Sequence, residues 1–490
     1  MLLTTLLDES GINYELIRGS AAIEVADLEY DSRKVKAGVL FACMRGKTSD
    51  SHDYAMQAYN SGARVFLVEK EILTDKNDIT LIKVDDSRKS FARLSAAFFG
   101  NPAKKLKMIG LTGTKGKSTT SYMIEAIFKN AGKRIGVIGT IGAVFEDKKW
   151  NTKLTTPDSY DLHKLLSEML ECGCEYVVME VSSVGLMMSR VEGINFDYAV
   201  YTNLSPDHIG GVEHESFDEY RYCKTLLFGQ CDKAILNRDD ENWQVMIEEH
   251  DVPFKTFGAD EASDYYISDI VCSKSNGLSV DFKLNDSDYK VKCMGKFNAY
   301  NASAAIAVAN EDGISYEVIK DALAGLGVVR GRVEEVHVSD DFHLIIDYAH
   351  NALSTESLMN TIKEYNPERI ICVFGAGGNR SKLRRYDMGE IAGKYADLSI
   401  LTADNPRDEE VSVIIDDIIY GMNKSNGKYI IIEDRAEAIK YSIMNAKKGD
   451  IIALIGKGHE DYQEIKGVKY HFDEREVIAD ILHSTEYTKL

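Results

Sequence analysis

An α/β fold in three successive domains is what this sequence predicts, and three observations carry the prediction. Short apolar runs alternate with segments whose apolar residues recur at helical spacing, the pattern of βα units around mostly parallel sheets. The chain has 490 residues, room for about three domains, each with its own core. The alternation falls into three stretches, and the last begins where Gly325 to Gly327 runs into Arg330-Gly-Arg332-Val-Glu334. The expected domains are 1–104, 105–328 and 329–490.

Composition narrows the class. With 44% hydrophobic and 28% charged residues, the chain has the make-up of a soluble globular protein. No apolar run approaches the ~18 residues that cross a bilayer. The N-terminal MLLTTLLDES lacks the basic region and long apolar core of a signal peptide. Eight cysteines are scattered without Cys-x-x-Cys pairs and read as reduced core thiols of a cytoplasmic protein. A formal charge of −20 argues against nucleic acid as a partner. Any anionic substrate must be met by local basic residues.

In the first domain, Val39 to Met44 and Ala63 to Val68 read as strands, with a helix from Tyr54 to Ser61 between them. Its core phrase is Asp31-Ser32-Arg33, then Gly38-Val-Leu-Phe-Ala-Cys-Met and the turn Gly46 to Ser49, which includes Lys47. Taken alone, Asp31 and Arg33 are an ordinary turn pair.

The second domain opens with strand Met108 to Leu111 and the turn Gly113-Thr114-Lys115-Gly116-Lys117-Ser118-Thr119. A helix follows, with Tyr122, Ile124, Ala126, Ile127 and Phe128 expected on its apolar side. Strand, Gly-rich turn with Lys-Ser, and helix together cradle phosphate. Glycines let backbone N–H groups come close, and the helix N-terminus adds positive potential. Lys117 would reach the terminal phosphates and the Ser118 hydroxyl would ligate magnesium. The longer common spacing is absent, because Leu111 stands where it needs glycine. Further strands are expected at Arg134 to Ile138, Glu175 to Met179, Asp197 to Thr202 and Lys233 to Leu236, with a helix at Asp161 to Glu171. Glu180 ends one strand, and Asp207 and His208 follow the next. Acids and histidines at parallel strand ends beside a phosphate loop point to a magnesium site. Lys224, in an amphipathic helix with Tyr220, Cys223, Leu226 and Leu227 near one face, reads by itself as a solvated lysine.

The third domain places strands at Leu344 to Asp347, Ile370 to Phe374, Leu398 to Ala403, Lys428 to Ile432 and Ile451 to Ile455. Motifs sit at their ends: Asp347-Tyr-Ala-His350, Gly375-x-Gly-Gly-Asn-Arg380, Asp404-Asn405-Pro406-Arg407 and Gly456-Lys-Gly-His-Glu460. Arg380 and Arg407 can make charge-assisted, bidentate hydrogen bonds to a carboxylate. As bare sequence, however, Asp404 to Arg407 is also an acceptable Asx-Pro turn.

The short phosphate loop resembles that of the Mur ligase and folylpolyglutamate synthetase superfamily. Motifs in order along the whole chain resemble the diaminopimelate-adding branch of the Mur ligases. That resemblance implies a UDP-binding N-terminal domain, a central P-loop ATPase-type domain and a Rossmann-like C-terminal domain. It implies an ATP site made of Gly113, Thr114, Lys115, Gly116, Lys117, Ser118, Thr119, Asn298, Asn301, Arg332, Asp347 and His350. The pair Asn298 and Asn301 can share a helix face, although Asn298 would equally suit an N-cap. Magnesium would be held by Ser118, Glu180, His208 and Lys224, the last carrying a carbamate formed with carbon dioxide. Lys117, Lys224 and His208 would be catalytic. Ser32, Lys47, Thr155, Thr156, Ser182 and Arg190 would hold the UDP-MurNAc-dipeptide. Arg380, Asp404, Asn405, Pro406, Arg407, Gly456 and Glu460 would hold diaminopimelate. The chain departs from relatives at Leu154, Val184, Met188 and Pro206, all near the expected acceptor.

The implied function is ATP-dependent addition of meso-diaminopimelate to UDP-MurNAc-L-Ala-D-Glu by a cytoplasmic enzyme expected to act as a monomer. Lysine lacks the second carboxylate that Arg407 would bind, and such a site rejects the wrong ligand by roughly 10⁴-fold. The same reaction with lysine, folate polyglutamylation, and an idle nucleotide-binding protein are the competing expectations.

Overall fold

The computed structural model describes residues 1–484 except 47–48, 73–75, 207–208, 211–212, 276, 327–330 and 332. By internal contacts it forms two compact units, one comprising Met1–Tyr266 with Ser303–Ile319 and the other Ile267–Ala302 with Lys320–Leu490.

The first unit begins with a sheet in the order Glu15–Arg18, Thr80–Lys83, Val65–Val68, Val39–Ala42, Asp27–Glu29. Only Glu15–Arg18 runs antiparallel to its neighbour. Alternate residues feed two cores: Leu40, Ala42, Val65 and Leu67 meet helices Leu3–Ser10 and Ser87–Phe98, while Phe41 and Phe66 meet Ala55–Asn60. Burial on both faces explains the continuous apolar runs. The expected strands of this domain are present, both shortened, to Val39–Ala42 and Val65–Val68. Glu15–Arg18, Asp27–Glu29 and Thr80–Lys83 are additional; the exposed positions of Glu15–Arg18 blur its alternation.

The same unit holds a second sheet. Its parallel part runs Ile135–Gly139, Tyr176–Glu180, Lys107–Thr112, Phe196–Tyr201, Cys231–Asn237, Phe254–Gly258. A hairpin, Gly142–Phe145 with Lys148–Trp150, extends one edge antiparallel. Lys107–Thr112 lies between Tyr176–Glu180 and Phe196–Tyr201, so the loop after it emerges between the carboxyl ends of both neighbours, where α/β sheets bind ligands. Helix Lys117–Asn130 buries Met123, Ile124, Ile127 and Phe128. Tyr122 and Ala126 are only half-buried, so the apolar stripe is turned from the expected one by the inclusion of Met123.

The second unit carries the antiparallel strands Ser279–Leu284 and Ser287–Val291, helix residues around Asn298, and a six-stranded sheet. The order is Glu334–Val336, His343–Asp347, Ile451–Ile455, Ile370–Phe374, Leu398–Leu401, Tyr429–Ile431, parallel except for the first strand. Asp347 and Phe374 both pair in register with Ile455, and Phe374 with Leu401. The four end motifs therefore leave adjacent strands at one edge. Two cores cover the sheet's faces, one including Ile345, Cys372, Leu401 and Ala453, the other Leu344, Val373, Ile400 and Leu454. The hairpin Tyr462–Ile465 with Val468–His471 was not expected from sequence.

None of the eight cysteines is bridged to another, and five of them are buried. No helix among the described residues is long and apolar enough to cross a membrane.

Candidate active site

The phosphate loop is held from behind. Gly113 adopts φ +145°, and a Cβ there would lie 2.0 Å from the Thr202 hydroxyl; the loop packs this close only because the residue is glycine. The Thr114 N–H donates to the Asn203 carbonyl (2.8 Å). The Lys115 N–H donates to Asn203 Oδ1 (2.9 Å). Thr202 Oγ1 and Asn203 Nδ2 both donate to the Lys115 carbonyl. Thr114 and Lys115 thus spend backbone groups on the loop's shape. Helix Lys117–Asn130 opens directly after Gly116, which takes φ +88°, so its positive end borders the loop.

Two lysines converge on the loop. Lys117 Nζ donates to the carbonyls of Gly113 (2.8 Å) and Thr114 (3.1 Å). Lys224 Nζ donates to the same Gly113 carbonyl at 3.0 Å and sits 4.5 Å from the centre of the Tyr220 ring. Lys224 is 1% exposed, so the reading of a solvated helix lysine fails: helix Phe217–Thr225 turns Tyr220, Cys223 and Lys224 inward together. Two ammonium groups at one carbonyl concentrate positive charge where a polyphosphate would lie.

A chain of oxygens leads away from Ser118. Its hydroxyl donates to Glu180 Oε1 (2.8 Å), and the same oxygen accepts the Thr140 N–H (3.0 Å). Thr140 Oγ1 donates to Glu180 Oε2 (3.2 Å) and lies 3.1 Å from Thr155 Oγ1. Glu180 is 2% exposed. A hydroxyl and a buried carboxylate side by side are the hard oxygen donors a magnesium ion takes, with phosphate and water completing its shell. Among the described residues no cluster of three or more His, Cys, Asp or Glu forms a metal cage by itself. Thr140 was missed from sequence: it follows the end of the parallel strand Ile135–Gly139, but the rule that found Glu180 looks for acids and histidines, not hydroxyls.

Thr156, Ser182 and Arg190 also gather in this unit. Thr156 Oγ1 donates to the Glu180 carbonyl (3.0 Å) and accepts the Ser182 N–H (2.9 Å). Arg190 donates to the Thr156 carbonyl and pairs with Asp158 at 2.9 Å. Tyr30, the residue after strand Asp27–Glu29, donates to Asp158 Oδ2 (2.8 Å), tying the end of that strand to the cluster. Ser32 is apart from it, at 3.3 Å from Gln57 Oε1. Lys47, Asp207, His208 and Arg332 lie outside the described residues.

In the second unit, a cavity of about 110 Å³ is lined by Arg380, Asp404, Asn405, Arg407, Gly456 and Glu460, joined by Tyr348, His350 and Arg384. The Gly-rich turn permits this gathering. A Cβ on Gly378 would fall 1.8 Å from the Pro406 carbonyl oxygen, and one on Gly377 3.0 Å from Arg407 Nη1. Pro406 itself is buried beneath that turn and does not line the cavity. Asn405 Nδ2 donates to Glu460 Oε2 (2.8 Å), and Lys457 Nζ lies 3.6 Å from Asp404. Arg384 Nε donates to the His350 carbonyl (2.7 Å). Burial, then the like charge of Arg380, holds the Arg384 guanidinium below its ordinary value. The neighbouring Arg385 is neutralised by Glu409 and Asp417; its hydrogen bonds hold the Glu409 carboxyl down to about 2. Guanidiniums and carboxylates facing one small cavity suit a ligand that carries both carboxylates and ammoniums.

Of the remaining sequence candidates, Asn301 Nδ2 donates to Asn298 Oδ1 (2.8 Å), and Asn298 lies inside helix Phe297–Glu311, donating to the Met294 carbonyl, rather than capping it. Asp347 accepts the N–H groups of Val333 and Ala349. His350 lines the amino-acid-sized cavity. Arg384 was missed; only the fold shows which of the basic residues after Arg380 faces inward.

Fold and loop together define an ATP-dependent ligase scaffold, and the chain belongs to the Mur ligase family. The family's middle domain matches residues 111–309, its glutamate ligase domain 331–458, and its catalytic domain 24–99. Among relatives, the chain is 39% identical to UDP-N-acetylmuramoyl-L-alanyl-D-glutamate–2,6-diaminopimelate ligase 1 of Clostridium acetobutylicum, over 96% of this chain and 97% of that one. It is 41% identical to the corresponding ligase of Caldanaerobacter subterraneus subsp. tengcongensis, over 97% and 98%. A solved UDP-N-acetylmuramoyl-L-alanyl-D-glutamate–2,6-diaminopimelate ligase superposes with a TM-score of 0.74 at 29% identity, covering 98% of both chains. A folylpolyglutamate synthase of Mycobacterium tuberculosis shares the fold at a TM-score of 0.59.

Proposed function

We propose that this chain is the ligase that joins meso-2,6-diaminopimelate to the D-Glu γ-carboxylate of UDP-MurNAc-L-Ala-D-Glu, consuming ATP, in peptidoglycan precursor synthesis. The observation that carries the choice of amino acid is the cavity where Arg380, Arg384 and Arg407 face Asp404 and Glu460. Diaminopimelate bears a carboxylate and an ammonium at each end. Lysine has no carboxylate at its far end and would forgo the charge-assisted hydrogen bonds that a guanidinium here can make to diaminopimelate.

In this reading the three sheets are three domains, bounded near residues 104 and 328. Gly113 to Thr119 cradle ATP, and Lys117 neutralises the transferring phosphoryl group. Asn298, Asn301, Arg332, Asp347 and His350 serve the nucleotide. Ser32, Lys47, Thr155, Thr156, Ser182 and Arg190 hold the acceptor. Ser118, Glu180, His208 and a carbamate on Lys224 would hold magnesium, which supplies charge neutralisation at the phosphates. The acceptor carboxylate attacks the γ-phosphorus and ADP leaves, giving an acyl phosphate. The diaminopimelate amine attacks the acyl carbon, phosphate leaves and an amide remains. Thr155, chained through Thr140 to Glu180 and Ser118, links the acceptor loop to the phosphate loop. The protein acts in the cytoplasm as a monomer.

The test is phosphate release and product mass with ATP, magnesium and UDP-MurNAc-L-Ala-D-Glu, adding meso-diaminopimelate or L-lysine. Tripeptide formation with diaminopimelate alone is expected. Preference for lysine overturns the reading of the cavity while keeping the ligase chemistry.

A further inference from the structure

We propose that Glu464 is the positioning residue that aims Arg407 at the incoming amino acid, an inference that rests on the reading of this cavity as the amino-acid site. Glu464 lies in strand Tyr462–Ile465 of the hairpin beyond the last motif and does not itself line the cavity. The hairpin grips the Asp404–Arg407 turn at four points, three of them through Glu464. The Arg407 N–H donates to the Glu464 carbonyl (2.9 Å), and the Lys466 N–H returns to the Arg407 carbonyl (2.8 Å), so the turn is stitched to the hairpin as a short parallel bridge. The Glu464 N–H donates to Asn405 Oδ1 (2.9 Å). Its carboxylate accepts from Arg407 Nε at 3.1 Å.

The chemistry of the guanidinium makes this arrangement directional. Arginine carries its donors in a rigid planar fork. Here Nε is fixed by Glu464 and Nη1 by the Gly378 carbonyl (2.8 Å). That leaves the two N–H groups of Nη2 and the second N–H of Nη1 to meet a ligand carboxylate. Arg407 also sits at φ +51°, a left-handed conformation that a long side chain holds only where its surroundings impose it. The stitched hairpin supplies that imposition. A freely rotating arginine would have to be ordered on binding, so the clamp lowers the entropic cost of recognising the carboxylate.

The experiment measures kcat and KM for meso-diaminopimelate and for ATP in the full-length enzyme and in Glu464→Ala, Glu464→Gln, Arg407→Ala and the Glu464→Ala/Arg407→Ala double variant. Glu464→Ala should raise KM for diaminopimelate about tenfold with KM for ATP unchanged, as expected when a group loses its orientation rather than its chemistry. Glu464→Gln, which keeps an acceptor oxygen, should recover most of that loss. The double variant should be no worse than Arg407→Ala, because the two residues act as one unit. An unchanged or lower KM in both Glu464 variants, or losses that simply multiply in the double variant, overturns the proposal while Arg407→Ala still weakens diaminopimelate. If Arg407→Ala itself leaves that KM unchanged, the reading of the cavity falls, and the proposal with it. Should Glu464→Ala fail to fold, Glu464→Met decides, because it keeps the bulk of the side chain but has no oxygen to accept from Arg407 Nε: a normal fold and an unchanged KM for diaminopimelate in that variant overturn the proposal.

Discussion

His163 offers a quantitative test of how this fold treats a buried titratable group. It lies in helix Ser159–Glu171, is 0% exposed, and neither ring nitrogen has a hydrogen-bond partner among the described residues. Burial alone lowers its pKa from 6.5 to about 4. The folded state therefore keeps the ring neutral where the unfolded chain protonates it. The depressed value makes the stability contribution full above about pH 6.5 and lost as pH falls toward about 4, a total of about 3 kcal/mol. Between about pH 7.5 and about pH 5.5 the loss from this one group is about 1.3 kcal/mol. His163→Leu removes the titration and also the two unsatisfied nitrogens, worth about 1 kcal/mol or more even at neutral pH. Urea unfolding of parent and variant at both pH values isolates the effect, because every other titrating group is common to the two proteins. The variant's advantage should grow by about 1.3 kcal/mol on acidification. An advantage that stays constant would show that His163 does not titrate in this way and that the packing around it is looser than the structure has it.

Two further outcomes concern the sites. Gly378→Ala, whose Cβ would meet the Pro406 carbonyl oxygen at 1.8 Å, should push the two turns apart and raise KM for diaminopimelate by tenfold or more, at least the ~1.4 kcal/mol of lost positioning that tenfold represents; ADP binding measured by calorimetry should be unchanged. Lys117→Ala and Lys224→Ala should each lower kcat at least ~10²-fold, the scale for removing one electrostatic stabiliser of a transition state. Intact-mass measurement in carbonate buffer should also reveal a carbon dioxide adduct in the parent that Lys224→Ala lacks; full activity in that variant removes Lys224 from the site.

The phosphate loop was legible in the sequence because its parts are contiguous. Strand, glycines, lysine, serine and helix follow one another within a few residues, and local geometry brings them together without help from the rest of the chain. Most of the parallel strands were legible for a related reason: burial on both faces writes each as an unbroken apolar run, as in Ile370–Phe374 and Ile451–Ile455, whereas the parallel strands Asp27–Glu29, Thr80–Lys83 and Phe254–Gly258 were not expected. Edge strands carry polar residues on their open faces, which hid Glu15–Arg18, Glu334–Val336 and the hairpin Tyr462–His471. The amphipathic stripe of helix Phe217–Thr225 was legible, but the inward turn of Lys224 was not, since a lysine on a helix boundary reads as exposed until its partner carbonyl is known.

By itself, then, the sequence determined the α/β class, the phosphate loop and the four motifs that end the strands of the second sheet-bearing unit, since each depends on periodicity or on residues that are neighbours in the chain. Only the tertiary structure decided which residues share a site. Strand order alone brings Asp347, Phe374, Leu401 and Ile455 to one edge, and with them Arg384, Glu464 and the link from Ser118 through Glu180 and Thr140 to Thr155 became visible in their own units. The physical reason is that hydrogen bonds and ion pairs act over about 3 Å in space, a distance to which spacing along the chain is no guide.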